Sequence, residues 1–215
     1  MQISMGKTLT FPKLYAIVDV TCFAPQLRKT NSITEFARDL AEGGVTLLQY
    51  RNKDGGTLQM LDHAREIKRV LEGKVRLIMN DRADICVAAG YDGVHLGQDD
   101  LPADAGRMVV GGERVVGIST HNPKQVKDAD ATSADYIAIG PVFPTTGKKN
   151  PDVVVGIEGV RKARALTKKP LVAIGGITRQ NAKAVIEAGA DSVAIISDLL
   201  STPKKAAEEF LRILV

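Results

Sequence analysis

Cys22 and Cys86 are the only cysteines among 215 residues, so neither a disulfide framework nor a CxxC metal knuckle can be built. Both are read as packing residues. Tryptophan is absent, yet 44% apolar and 25% charged residues match ordinary globular usage and exclude a disordered or fibrous chain. The excess of 29 basic over 25 acidic residues is spread along the chain, without the basic stripe that nucleic-acid backbones require. A mild positive excess suits small anionic substrates. No window reaches the ~18 apolar residues of a membrane span, and the first residues, MQISMGKTLTFPK, have no apolar signal core. The expectation is a cytoplasmic protein without membrane or nucleic-acid partners. No linker, low-complexity run or second domain is visible.

What is present is a succession of short β-branched runs, each followed by a helical stretch, the alternation that builds a parallel sheet. Eight runs are recognised, at 14–20, 45–51, 75–80, 93–96, 114–119, 136–142, 170–176 and 192–197. Eight strands close a barrel, so the fold class is α/β, a single (β/α)8 TIM barrel spanning 1–215 with an N-terminal extension over 1–13. Helix one is expected over 32–42, ending at Gly43-Gly44. Helix two is expected over 57–72, with Thr57 as N-cap and Gly73 as stop. Further helices are expected after Pro102 and Asn122, from Thr178 to Gly189, and after Pro203. The stretches 41–51 and 187–197 look alike, as αβ junctions of a barrel require.

In such barrels the active site lies at the C-terminal ends of the strands. Here the exits carry Gln49, Arg51 and Lys53; Asn80, Asp81 and Arg82; His95 to Asp100; Ser119 to Asn122; and GPVFPTTGK over 140–148. Arg51 and Lys53 from one strand exit and Lys148 from another point to an anion, because guanidinium and ammonium groups make short charge-assisted bonds to phosphate. Asp81 and Asp100 leave neighbouring strands. Two close carboxylates repel unless a raised pKa or a shared hard cation relieves them, and Mg²⁺ takes one or two carboxylates together with phosphate oxygens. Gly175-Gly176 and Ile196-Ser197 fall where barrels bind phosphate through backbone N–H groups. The rim therefore reads as two anion sites, one metal-assisted and one built from backbone.

From about Leu14 onward the chain resembles the thiamine-phosphate synthase family. The family's motifs appear in order as QYRNK, NDR, HLGQDDL, GISTHN, GPVFPT, IGGI and IS. The resemblance implies a pyrimidinylmethyl transferase that joins an aminopyrimidine diphosphate to a thiazole phosphate, or its carboxylated form, releasing diphosphate. Gln49, Arg51, Lys53, Asn80, Ser119 and Lys148 would hold the pyrimidine and its diphosphate, with Tyr50 and Asn52 of QYRNK in the same site. Asp81 and Asp100 would hold Mg²⁺. Thr145, Thr146, Gly147, Gly176, Ile196 and Ser197 would hold the thiazole phosphate. Arg51, Lys53, Ser119 and Lys148 would carry catalysis, in which diphosphate leaves first and the thiazole nitrogen captures a pyrimidine-stabilised cation. One departure stands out: Gly147 replaces the second hydroxyl of the family's T-x-T-K.

Other classes remain to be weighed. A thiazole tautomerase resembles these synthases but uses a histidine where this chain has Pro141, which cannot transfer a proton. A non-catalytic phosphate-binding barrel would not need both Asp81 and Asp100. An isomerase on the same barrel would use Asp19 as base, since fold does not fix function. Whether the chain forms a homodimer is left open.

Overall fold

A computed structural model of the chain describes residues 11–23, 30–145 and 153–215. Eight parallel strands close into a barrel in sequence order. They are β1 (Leu14–Asp19), β2 (Leu47–Arg51), β3 (Arg76–Asn80), β4 (Gly93–Leu96), β5 (Val115–Thr120), β6 (Tyr136–Ile139), β7 (Leu171–Ile174) and β8 (Ser192–Ile195). Between and after them come α1 (Thr30–Glu42), α2 (Thr57–Leu71), α3 (Ala83–Ala89), α4 (Ala103–Val110), α5 (Pro123–Asp130), α6 (Gly156–Leu166), α7 (Ala182–Glu187) and α8 (Pro203–Ile213).

The expected elements are all found, but β1, β6, β7 and β8 stop earlier than their apolar runs. β6 ends at Ile139, two residues before Pro141, which has no N–H to give the ladder. β7 ends at Ile174 because Gly175 and Gly176 take φ of +98° and +63°. Thr57 is not the cap of α2: Gly56 holds that position in extended backbone and Thr57 is already helical. α7 starts only at Ala182, because Asn181 first closes a turn by accepting from the Thr178 amide at 2.8 Å. Asn122 caps α5 as its type suggests, accepting from the Gln125 amide at 3.0 Å. Cys86 is buried on the inner face of α3, but Cys22 is exposed, against the expectation that both pack.

Strand alternation sorts the apolar residues into two cores. Leu14, Ala16, Val18, Leu48, Tyr50, Leu77 and Met79 face the helix layer. Tyr15, Ile17, Leu47, Ile78, Tyr136, Ala138, Val172 and Ala194 fill the lumen. Phe11, just before β1, closes the lumen floor with its ring 4.7 Å from that of Tyr136.

At the opposite end from the strand exits, one arrangement recurs. Asp92, Asp135 and Asp191 stand directly before β4, β6 and β8. Each donates its own amide to the carbonyl of Leu77, Val116 or Leu171 on the preceding strand, at 2.9, 2.7 and 2.8 Å. Each also accepts that same residue's amide on its carboxylate, at 2.7, 2.7 and 2.8 Å. A basic residue from the preceding even-numbered helix reaches each junction: Lys68 bonds the Gly90 carbonyl, Arg107 pairs with Asp135 and Arg164 with Asp191. Before β2 the corresponding residue is Thr46, and there Lys204 of α8 pairs with Glu42 at 3.0 Å.

Candidate active site

The upper lumen is built from the last inward positions of each strand. By the two-residue period these are Asp19, Gln49 and Arg51, Asn80, His95, Ser119, then Ala138, Ile174, Ala194 and Ile196. The rim is therefore lopsided. β1 to β5 present charge and hydrogen-bonding groups, whereas β6 to β8 present alanine, isoleucine and backbone.

On the polar half, Asp19 and Arg51 lie opposite each other in the β1–β2 register and form an ion pair, with Asp19 only 2% exposed. The Asp19 carboxylate also accepts from the Thr21 amide and hydroxyl at 3.0 and 2.7 Å. Arg51 is thus held in place by a buried counter-ion. Lys53, half-exposed at the end of the same segment, pairs with Asp81.

Asp81 and Asp100 do meet. Asp81 follows β3 with φ of +61°, an unusual conformation for a side-chain-bearing residue. Its amide donates to the His95 carbonyl at 2.7 Å, which ties it to β4. Burial, then hydrogen-bonding contact with Asp100, push its carboxyl up to about 6 against the pull of Lys53. Asp100 is oriented by the Gly97 amide, which donates to its carboxylate at 2.8 Å. Among the described residues no cluster of three or more metal-binding side chains occurs; Asp81 and Asp100 offer a pair of hard carboxylate oxygens. That is what Mg²⁺ ordinarily takes from a protein, leaving its other positions to water and phosphate.

Gln49 and Ser119 are joined through the lumen. The Gln49 side chain donates to the Tyr15 hydroxyl at 2.9 Å, which lies 3.1 Å from that of Tyr136. Tyr136 lies 2.8 Å from Nδ1 of His95, whose Nε2 lies 2.8 Å from the Ser119 hydroxyl. Gly117 makes room for this: a Cβ there would fall 2.0 Å from the Tyr136 ring. Burial pushes both tyrosine hydroxyls up and lowers His95 to about 4, so all three are neutral near pH 7. Gln98 fixes the strand end by donating to the Ser119 carbonyl at 2.6 Å.

Not every expected residue faces this space. Tyr50 is buried on the helix side of β2, its hydroxyl 2.9 Å from His63 Nδ1, and Asn52 donates to that hydroxyl at 3.3 Å. Their side chains shape the segment from behind. Asn80 sits inward, directly opposite His95 in the β3–β4 register. Thr145 is half-buried at the β6 exit; Thr146, Gly147 and Lys148 lie outside the described residues.

On the other half, Gly176 has positive φ and is hemmed in: a Cβ would come within 2.5 Å of the Pro144 carbonyl oxygen and 2.8 Å of Phe143. Asn181 holds its carbonyl at 3.1 Å. The β6 and β7 loops are laced together, with Val142 and Phe143 donating to the Ile174 and Gly175 carbonyls at 2.9 and 3.0 Å. Ile196 is half-buried, and Ser197 is exposed at the start of a short 3₁₀ turn. Asp198 in that turn is engaged by the Arg179 amide and guanidinium.

Sequence reading missed Tyr15 and Tyr136 and gave His95 no role of its own. In runs such as LYAIVDV a tyrosine looks like core. The available signal was parity, since Tyr15 shares the lumen face with Asp19, and a glycine inside β5 opposite a large ring.

Comparison with known proteins supplies the rest. A family model described as thiamine monophosphate synthase matches residues 14–199. A thiamine-phosphate synthase of Koribacter versatilis is 57% identical over 210 residues, covering 98% of this chain and 99% of its own. One from Agrobacterium fabrum is 42% identical, covering 86% and 84%. A solved thiamine phosphate pyrophosphorylase from Pyrococcus furiosus superposes with a TM-score of 0.82 at 32% identity, over 94% of this chain and 95% of that one.

Proposed function

Since the chain belongs to the thiamine monophosphate synthase family, we propose that its lopsided rim joins an aminopyrimidine diphosphate to a thiazole phosphate to give thiamine phosphate and diphosphate. The observation that carries this reading is the pairing of a charged half, Asp19–Arg51 and Lys53–Asp81–Asp100, with an uncharged half of glycine, alanine and isoleucine. A diphosphate fits the first and a monophosphate held by N–H groups fits the second.

In this reading Arg51 and Lys53 face the diphosphate and offset the charge that develops as it leaves, the effect that usually dominates such transfers. Asp81 and Asp100 would hold Mg²⁺, which when bound supplies further positive charge to the leaving oxygens. Gln49, Asn80 and Ser119 orient the pyrimidine ring. Gly176, Ile196, Ser197 and Thr145 hold the thiazole phosphate so that the ring nitrogen lies in line with the carbon losing diphosphate, which converts an encounter into positioned attack. Lys148, with Thr146 and Gly147 beside it, is assigned to the diphosphate through the resemblance. No protein nucleophile is required. Phosphorylated substrates do not cross membranes unaided, so the reaction is placed in the cytoplasm; no helix among the described residues is long and apolar enough to span a bilayer.

The test is turnover of the two phosphorylated substrates by purified protein, with and without Mg²⁺, following thiamine phosphate and diphosphate together. Equal amounts of both products, dependent on both substrates and on the metal, are expected. Diphosphate release without thiamine phosphate, or conversion of the thiazole alone, would overturn the reading.

A further inference from the structure

The buried hydrogen bonds of the lumen run without a gap from β2 to β5, and their direction is set from one end. The Gln49 amide nitrogen can only donate, so the Tyr15 hydroxyl accepts from it and turns its own proton to Tyr136. Tyr136 then donates to Nδ1 of His95, which leaves the imidazole proton on Nε2, facing the Ser119 oxygen. The Ser119 proton is thereby left for the lumen. At the other end the Gln49 carbonyl oxygen is left for it too. One end of the chain offers an acceptor and the other a donor.

We propose that Tyr15, Tyr136 and His95 are positioning residues that hold Gln49 and Ser119 as a matched acceptor and donor, so that the lumen selects a flat heterocycle bearing an amino group and an unprotonated ring nitrogen over its oxo counterpart. The inference rests on the pyrimidine site proposed above. An amino group donates to Gln49 while a bare ring nitrogen accepts from Ser119. An oxo ring carries the reverse pattern, a carbonyl acceptor and an N–H donor. To receive it, all five groups must reverse together in a dry interior, or two buried polar groups are left unmatched, which is how a hydrogen-bonding site rejects a near-isostere. The stacking of His95 on Tyr136, with ring centres 5.4 Å apart, and the space left by Gly117 keep the middle links in place.

The experiment compares kcat/KM for the 4-amino pyrimidine diphosphate with that for its 4-oxo analogue, in wild type, Tyr136→Phe, His95→Leu and His95→Gln. Tyr136→Phe keeps the ring and removes the central hydroxyl. It should lower the amino-to-oxo ratio at least tenfold, through KM for the pyrimidine and with KM for thiazole phosphate unchanged. His95→Leu should do the same, and His95→Gln, whose amide accepts at oxygen and donates at nitrogen, should recover part of the ratio. Tyr15→Phe, which cuts the chain at another link, serves in place of any variant that circular dichroism shows to be unfolded. An unchanged ratio in folded Tyr136→Phe and His95→Leu overturns the inference, as do equal losses toward both substrates. If wild type converts the amino substrate while the ratio resists every substitution, only this inference fails; if wild type converts neither pyrimidine, the site reading fails with it.

Discussion

The Tyr136 hydroxyl lies 2.8 Å from Nδ1 of His95 within the lumen, where the imidazole is only 8% exposed. A buried imidazole bonded at both nitrogens to neutral hydroxyls resists protonation, because burial strips the charge of water and this outweighs the pull of the Asp100 carboxylate.

This gives a dependence of stability on pH. The folded-state pKa of His95 is about 4, below its ordinary 6.5, so the unfolded chain binds more protons in between. His95 therefore contributes stability above pH 6.5 that is lost as pH falls through about 4, by up to about 3 kcal/mol. Asp81 works in the opposite sense over the same window: its raised folded pKa of about 6 gives stability at low pH that is lost as pH rises through 6. Denaturant melts of wild type and His95→Gln between pH 7 and 4 separate the two. The variant should lose less stability on acidification, and parallel curves would refute the assignment.

Arg51 and Asp19 form a pair in which the carboxylate is almost fully buried. Arg51→Ala strands that charge and should cost roughly 3–5 kcal/mol of stability as well as activity. Adding Asp19→Asn should restore the melting temperature but not turnover. Recovery of both together would mean that Arg51 serves the fold alone.

Asp81→Asn and Asp100→Asn are expected to lower turnover by about a thousandfold and to abolish its response to Mg²⁺, while the melting temperature stays within a few degrees of wild type. Initial rates across a Mg²⁺ titration, paired with calorimetry, check this. Wild-type turnover in both variants removes the carboxylate pair from the mechanism.

Gly117→Ala would place a methyl group 2.0 Å from a ring atom of Tyr136. Rings in a closed lumen cannot retreat that far, so the variant should lose about 1–3 kcal/mol or more. Gly117→Ala with Tyr136→Phe should remain destabilised, because ring atoms at 2.0 and 2.2 Å stay in the way once the hydroxyl at 2.4 Å is gone. Gly176→Ala, by contrast, meets the Pro144 carbonyl at the rim and should raise KM for thiazole phosphate before it affects that for the pyrimidine.

The barrel, the order of its elements and the polar strand exits were legible in the sequence because period-two runs and glycine stops are local signals. So were Asp81 and Asp100, since adjacent strands must place their exits side by side. What escaped was relational. Asp19 looked like an isolated rim carboxylate until its register with Arg51 was seen. Tyr15 and Tyr136 lie far apart in sequence and meet only because the sheet closes. The side chain of Tyr50 belongs to the helix layer although its neighbours Gln49 and Arg51 face the lumen, a consequence of alternation that motif matching ignores.

Asp135→Ala should cost about 1–2 kcal/mol by leaving the Val116 amide and Arg107 without their acceptor, and should leave both Michaelis constants as they were. That separation has a wider meaning. The doubled aspartate contact recurs before β4, β6 and β8, each time with a basic residue from the preceding even-numbered helix, and before β2 the pairing of Lys204 with Glu42 takes its place. Three of the barrel's four quarters thus share one wiring diagram on the face away from the chemistry, and the first uses an ion pair in its place. Each quarter is fastened at its base by contacts that no rim residue joins, so loops at the strand exits can be lengthened, shortened or exchanged between quarters without loosening the frame that carries them.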